Sequence, residues 1–296
     1  MLYVSRMNVA FLGLGTMGAP MAANILKKHS LTVWNRSPER AAQLVEAGAR
    51  LAATPAEAVR AAEIVITMLA DPAAVRAVGE ALLPALAPGA VLIDMSTVDP
   101  ALARTLDEKA RARGARFLDA PVSGTRKPAV DGTLLIMVGG PDEALERARP
   151  VLETMGRLKP VGPVGHGMAM KLVLNGLGAH MMTGFAAMLT LGVTQGLSPR
   201  DMIEVIGSGA FSSPLYAGKG ARILARDFRP DFTVALMRKD QDLVLETAGA
   251  ARYAMPTLQA IRDVLDDAVA HGFGELDLCG VIRLFEEQAG VVVAEK

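Results

Sequence analysis

The stretch "GMAMKLVLNG" (167–176) places a lysine and an asparagine four residues apart within one of the most apolar parts of the chain. On a helix, Lys171 and Asn175 share one face. Apolar walls destabilise the charged form of an amine, move its pKa toward neutrality and suit it to pass a proton to an oxygen. Asn175 can orient that amine or bind the same oxygen. Read alone, a lysine reaching from a helix face to water is the commoner arrangement. A second motif changes the balance. Gly13-Leu14-Gly15-Thr16-Met17-Gly18 reads GxGxxG between an apolar run and a helical pattern. In that setting Gly13 permits a tight turn, Gly15 lets backbone approach a pyrophosphate, and Gly18 lets helix and strand pack closely. The helix start adds free N–H groups and a positive dipole end. A nicotinamide receiving or giving hydride needs a proton donor beside it, and Lys171 supplies the type.

The residues after the second apolar run, Asn35-Arg36-Ser37, bear on the kind of dinucleotide. A carboxylate there binds ribose hydroxyls and repels a 2′-phosphate. Asn35 does not repel one, and Arg36 can offer it a charge-assisted fork, so NADP(H) is expected over NAD(H). In isolation Arg36 reads as a solvated arginine. In "DAPVSGTRKPAVDGTLLIMVGG" (119–140), Ser123-Gly124-Thr125 follow a strand end and can present N–H and hydroxyl groups to a substrate carboxylate. The plainer reading is a loop with Arg126 and Lys127 in water. "MSTV" (95–98) offers Ser96 and Thr97, and "FTVALMRKDQDL" (232–243) offers Phe232, Lys239 and Asp240. His166 and His180 read as packing or loop groups. No His or carboxylate cluster has metal-ligand spacing, so no metal is expected.

Apolar runs at 8–13, 31–35, 63–69, 90–96, 116–122 and 133–140 read as strands separated by helical patterns, which implies a parallel sheet covered on both faces. "SPERAAQLVEAG" (37–48) reads as one helix with Ser37 as cap. After Gly165 the pattern becomes long helices, with breaks near 196–199, 212–220, 229–232 and 271–277. The expected fold is α/β: a Rossmann-type doubly wound domain over 1–165, then an all-α substrate and oligomerisation domain over 166–296. No internal repeat or low-complexity segment is seen.

Composition narrows the class. The chain has 296 residues, 51% hydrophobic and 21% charged, as a globular protein requires. Lys plus Arg equals Asp plus Glu at 31 each, with no basic block, which argues against nucleic acid. The single cysteine, Cys279, excludes an internal disulfide, reads as a buried small residue and fits a reducing cytoplasm. The start "MLYVSRMNVAFLG" lacks a signal-peptide pattern, and Met7 reads as an alternative start, with 1–6 dispensable. The run 167–193 is long enough to raise a membrane span. Lys171, Asn175 and His180 interrupt it, and it is read instead as a helix buried between domains or subunits, hence a dimer or tetramer.

The segments "FLGLGTMGAPMAANI", "VWNRS", "DAPVSG", "GTLLIMVGG", "GHGMAMKLVLN" and "KDQDL" together resemble the β-hydroxyacid dehydrogenases related to 3-hydroxyisobutyrate dehydrogenase, over nearly the whole chain. The resemblance implies that Gly13, Gly15 and Gly18, with Leu14, Thr16 and Met17 between them, form the cofactor loop. Asn35 and Arg36, followed by Ser37, match NADP-preferring members. Met68, Leu69, Thr97 and Lys239 fall near the cofactor. Ser123, Gly124 and Thr125 fall at the substrate carboxylate, and Phe232 near the substrate. Lys171 matches the catalytic lysine, Asn175 the asparagine one turn on, and Asp240 the partner of Lys239. "SGTRKPAVDG" is similar to the pattern of the glyoxylate/succinic semialdehyde reductases. Leu174 and Gln241 depart from common family residues. The resemblance implies NADPH-dependent reduction of a small aldehyde acid. 3-Hydroxyisobutyrate oxidation is the alternative, and a non-catalytic NADPH-binding sensor or scaffold is the rival of another class. A 6-phosphogluconate dehydrogenase is disfavoured because its helical domain is much larger.

Overall fold

The structure is a computed structural model that describes residues 6–295. The extension expected over 1–6 therefore lies, apart from Arg6, outside the described residues. The chain forms two compact units, Met1–Lys171 and Leu172–Lys296. The division falls inside a helix rather than at the glycine-rich loop before it.

The first unit is a sheet of nine strands. Strands β1 (Asn8–Leu12), β2 (Ser30–Trp34), β3 (Arg50–Leu51), β4 (Ile64–Thr67), β5 (Val91–Asp94) and β6 (Arg116–Asp119) run parallel in the order β3-β2-β1-β4-β5-β6. Helices α1 (Gly18–Leu26), α2 (Ala42–Glu46), α3 (Pro55–Val59), α4 (Pro72–Leu82) and α5 (Pro100–Arg111) connect them. The doubly wound plan follows from the strand side chains. On β1, Val9 and Phe11 enter one core while Ala10 and Leu12 enter the other; β4 and β5 split in the same way. Strands buried on both faces must be apolar throughout, and this is why they were legible as runs.

Two expectations are corrected, and two strands were not anticipated. The sheet is not wholly parallel: β8 (Leu134–Gly139) runs antiparallel to β6 and to β7 (Val122–Ser123), and parallel to β9 (Gly156–Gly162). The segment before β8 carries β7, which itself pairs antiparallel with β8, and the short α6 (Arg126–Asp131). Strands β3 and β9 left no apolar run, being short and half-polar respectively, and Pro160 suits β9 to an edge. The helix expected over 37–48 is a 3-10 turn (Pro38–Ala41) and then α2, and the Ser37 side chain caps neither. Helix α7 (Asp142–Leu152) completes the unit.

Helix α8 (His166–Thr194) carries the long apolar run and leads into the second unit. It is the one helix among the described residues long and apolar enough to cross a membrane. The second unit adds α9 (Pro199–Ser208), α10 (Pro214–Leu224), α11 (Val234–Ala250), α12 (Pro256–Ala268) and α13 (Ile282–Ala289). The break expected over 212–220 is instead the start of α10, where Ser213 Oγ accepts the Tyr216 N–H at 3.2 Å. Phe185, Leu189, Ile223, Leu265 and Ile282 form its core. Asp277, fully buried, ties that core together: its carboxylate accepts from Lys219 Nζ at 2.7 Å and from the Asp231 and Cys279 N–H groups. Cys279 is fully buried, and burial pushes its thiol up to about 12.

Candidate active site

The glycine turn closes β1 onto α1. Gly13 has φ +105°, a conformation that L side chains rarely adopt, and donates its N–H to Trp34 O at 2.9 Å. A Cβ at Gly13 would strike the Met68 carbonyl oxygen, and one at Gly18 would strike the Gly13 carbonyl oxygen, whereas Gly15 faces nothing within 4 Å. Close packing thus demands two of the glycines, and the third opens onto space. Helix α1 has no side-chain cap and no acidic residue in its first turn, so its N–H groups and dipole end suit an outside anion. This turn fits a dinucleotide pyrophosphate.

Asn35 does more than avoid repelling a phosphate. Its Oδ1 accepts the Leu14 N–H at 2.8 Å and its Nδ2 donates to Ser37 O at 2.9 Å, fastening the turn to the end of β2. Leu14 is correspondingly spent: its N–H is held by Asn35 and its side chain is buried in the core. Arg36 and Thr16 are exposed beside the turn, and Met17 and Ser37 are half-buried.

A buried network sets the next two strand ends. Asp94 Oδ1 accepts from Thr67 Oγ1 at 2.8 Å and from Ser96 Oγ at 2.6 Å, and Ser96 Oγ in turn accepts the Leu69 N–H at 2.9 Å. Met68 N–H donates to Leu12 O at 2.9 Å. Ser96, which the sequence offers at a strand end, is internal, its hydroxyl engaged on both sides. Thr97 beside it is half-buried. Burial pushes the Asp94 carboxyl above the usual carboxylate range, against the pull of its Ser96 and Thr67 bonds.

The segment expected to meet the substrate carboxylate leaves β7 through Gly124 at φ +135°, where a Cβ would crowd Leu134 Cδ2 at 2.8 Å. Ser123 and Thr125 are half-buried, and Thr125 stands at the start of α6 without capping it. Arg126 and Lys127 are not loop residues but lie on α6, exposed. The α1 side chain Asn24 donates to Ala129 O at 2.9 Å and Val130 O at 3.2 Å, so α6 is tied to the helix that follows the glycine turn.

Lys171 lies half-buried in the second turn of α8. The first turn is held by a residue that received no role in the sequence reading. Asp119, the last residue of β6, accepts the Gly165 N–H on Oδ1 and the Met168 N–H on Oδ2, each at 2.8 Å. These are the cap and third-residue donors of the helix, the pair that a local capping box would satisfy. Burial raises the Asp119 carboxyl to about 6, against these two bonds, with the Asp94 charge adding to the rise. The signal was present in "DAPVSG", but nothing local linked it to residues some forty-five positions away.

The second unit brings its own candidates together. Asn175 Nδ2 donates to Asp240 Oδ2 at 2.5 Å, and both residues are buried. Lys239 Nζ lies 3.0 Å from Asp240 Oδ1, an ion-pair distance, although that oxygen has no partner with hydrogen-bond geometry. The Lys239-Asp240 pair is therefore not a surface ion pair on the aspartate's side. Gln241, fully buried, donates to Met237 O at 3.2 Å and to Asn175 O at 3.5 Å. This departure from the common family residue thus ties α11 to the Asn175 backbone. Phe232 packs against the core of the helical unit, its N–H 3.4 Å from Asp277 Oδ2.

A doubly wound sheet with an open glycine turn, followed by a helical unit, defines a nicotinamide-dependent oxidoreductase. Residues 8–177 match the family described as the NAD binding domain of 6-phosphogluconate dehydrogenase. Residues 165–285 match the NAD-binding region of NADP-dependent 3-hydroxyisobutyrate dehydrogenase. The chain is 35% identical over 282 residues to glyoxylate/succinic semialdehyde reductase 1 of Arabidopsis thaliana, covering 94% of this chain and 98% of that one. It is 37% identical to an NAD-dependent L-serine dehydrogenase of Pseudomonas aeruginosa, covering 95% and 99% respectively. The solved structure of Mycobacterium tuberculosis 3-hydroxyisobutyrate dehydrogenase with L-serine superposes with TM-score 0.89 at 33% identity, covering 95% of this chain and 99% of that one. The chain belongs to the 3-hydroxyisobutyrate dehydrogenase-related β-hydroxyacid dehydrogenases, oxidoreductases that act on CH–OH groups.

Proposed function

We propose that the protein reduces a small aldehyde bearing a carboxylate, glyoxylate or succinic semialdehyde, with NADPH. One observation carries the reading: Lys171 sits on a helix whose first turn is fixed to the sheet that also carries the open glycine turn. A nicotinamide held at the glycine turn would supply hydride to the carbonyl carbon. Lys171 gives the proton to the carbonyl oxygen, and Asn175, held by Asp240, orients that exchange. Ser123, Gly124 and Thr125 present N–H and hydroxyl groups to the substrate carboxylate. Arg36 binds the 2′-phosphate, with no carboxylate at the end of β2 to oppose it. The similarity to a glyoxylate/succinic semialdehyde reductase and the "SGTRKPAVDG" segment support the substrate class. Oxidation of 3-hydroxyisobutyrate or a similar hydroxyacid is the second reading, favoured by the likeness to 3-hydroxyisobutyrate dehydrogenase; there Lys171 acts as the base.

The deciding experiment is a panel of glyoxylate, succinic semialdehyde, 3-hydroxyisobutyrate and L-serine, each with both cofactors. Highest kcat/KM is expected for an aldehyde acid with NADPH. Preference for NAD(H) refutes the role of Arg36. Lys171→Ala should lower turnover by about 10²- to 10⁴-fold while leaving NADPH affinity unchanged. Full turnover in that variant removes the proton-donor role.

A homo-oligomer is also part of this reading. Val173 and Leu177 of α8 are 64% and 56% exposed in the single chain, and Met188 and Leu191 58% and 53%. Apolar residues repeating along one helix suit a second copy. A monomeric mass by light scattering refutes this.

A further inference from the structure

We infer that Asp119 is a positioning residue for the proton donor: its carboxylate, reaching from the end of β6, sets the place and axis of the helix that carries Lys171. This rests on the reading of Lys171 as the donor. The two bonds at 2.8 Å fix the Gly165 and Met168 N–H groups, and Met168 is one turn before Lys171. The surroundings are built around that carboxylate. A Cβ at Gly139 would lie 2.5 Å from Asp119 Oδ1, and one at Gly167 would lie 2.9 Å from Oδ2 and 2.5 Å from Asp119 O. Glycines on β8 and α8 thus let helix, strand and carboxylate meet more closely than any side chain allows. Asp119 is fully buried, and its neighbour in register on β5 is a second buried carboxylate, Asp94. A buried charge beside a like charge weakens a fold unless its bonds are specific. Its bonds here go to the one helix turn that precedes the lysine. Misplacing a reacting group by an ångström costs catalysis on the order of a hundredfold, so a rigid helix start has a catalytic consequence.

Asp119→Asn tests this. The amide keeps the size but turns a donor toward one of the two N–H groups. The expected result is a kcat lowered about 10- to 100-fold. NADPH affinity, read by fluorescence of Trp34, the single tryptophan, should stay within about twofold, and the solvent deuterium isotope effect on kcat should rise as proton transfer becomes limiting. A kcat within about twofold of the parent overturns the inference. So does a loss of kcat with an unchanged isotope effect, because a merely structural defect does not alter the proton step. Should Asp119→Asn not fold, Gly139→Ala displaces the same carboxylate and is read in the same way. Amide exchange of the unaltered protein is a further arm. Slow exchange at Gly165 and Met168 is expected, and fast exchange at both overturns the inference. Lys171→Ala is measured in parallel. If it keeps full turnover, both the donor reading and this inference fall. If it loses turnover while Asp119→Asn does not, only the positioning role falls.

Discussion

Helices α1 and α8 both begin beside strand ends of the same sheet, and they treat their unpaired N–H groups in opposite ways. Helix α1 starts at a glycine turn with no cap and no acid, and Gly15 opens onto space. Helix α8 starts against Asp119, and its cap donors are already filled by a carboxylate of the chain itself. The physics is shared, since a helix start attracts an anion. In one case the end is left open to an anion from outside and stays adaptable. In the other it is internal and the end is locked. A cofactor site needs the first arrangement and a proton donor the second.

The sharpest test concerns the cost of the internal anion. Asp119 has a folded pKa of about 6 against 3.8 unfolded. Between those values the native state binds more protons, so the stability this group contributes is fully present below about pH 4 and is lost as pH rises through 6. The loss from this group is about 3 kcal/mol. Urea unfolding from pH 4 to 7 should show the parent losing about that much more stability than Asp119→Asn; parallel profiles refute the buried charge.

Giving α1 an anion of its own attacks the comparison from the other side. Met17→Asp puts a carboxylate at the uncapped start. NADPH affinity should fall about a hundredfold, while the melting temperature of the cofactor-free protein holds or rises. Calorimetry of binding reads the first and thermal unfolding the second. Unchanged affinity means that the turn does not carry the pyrophosphate.

The smallest effect belongs to Arg36, which is exposed. Arg36→Ala should weaken NADPH by about tenfold and leave NADH nearly unaltered, because one solvent-screened charge-assisted contact is lost. Equal losses for both cofactors remove the 2′-phosphate contact.

The glycine turn and the doubly wound sheet were readable from the residues. GxGxxG and the doubly buried strands are local patterns whose meaning depends on neighbours in the chain. Other parts were misread for an equally physical reason. Ser96 looked like a ligand because its hydroxyl stood at a strand end, yet Asp94 and Leu69 consume it. Nothing local placed Asp240 in the interior, where Asn175 of another helix holds it. Gln241 counted only as a departure, and it braces that same asparagine.

The sequence by itself determined the α/β plan, the glycine turn and the lysine segment, because hydrophobic period and glycine spacing are short-range properties of the chain. Tertiary structure alone decided which buried polar groups meet. Asp119 with the start of α8, Asp94 with Ser96 and Leu69, and Asp240 with Asn175 are pairings of side chains with groups on other elements. A buried carboxylate is bound to whatever donor the packing brings to it, and no local pattern names that donor.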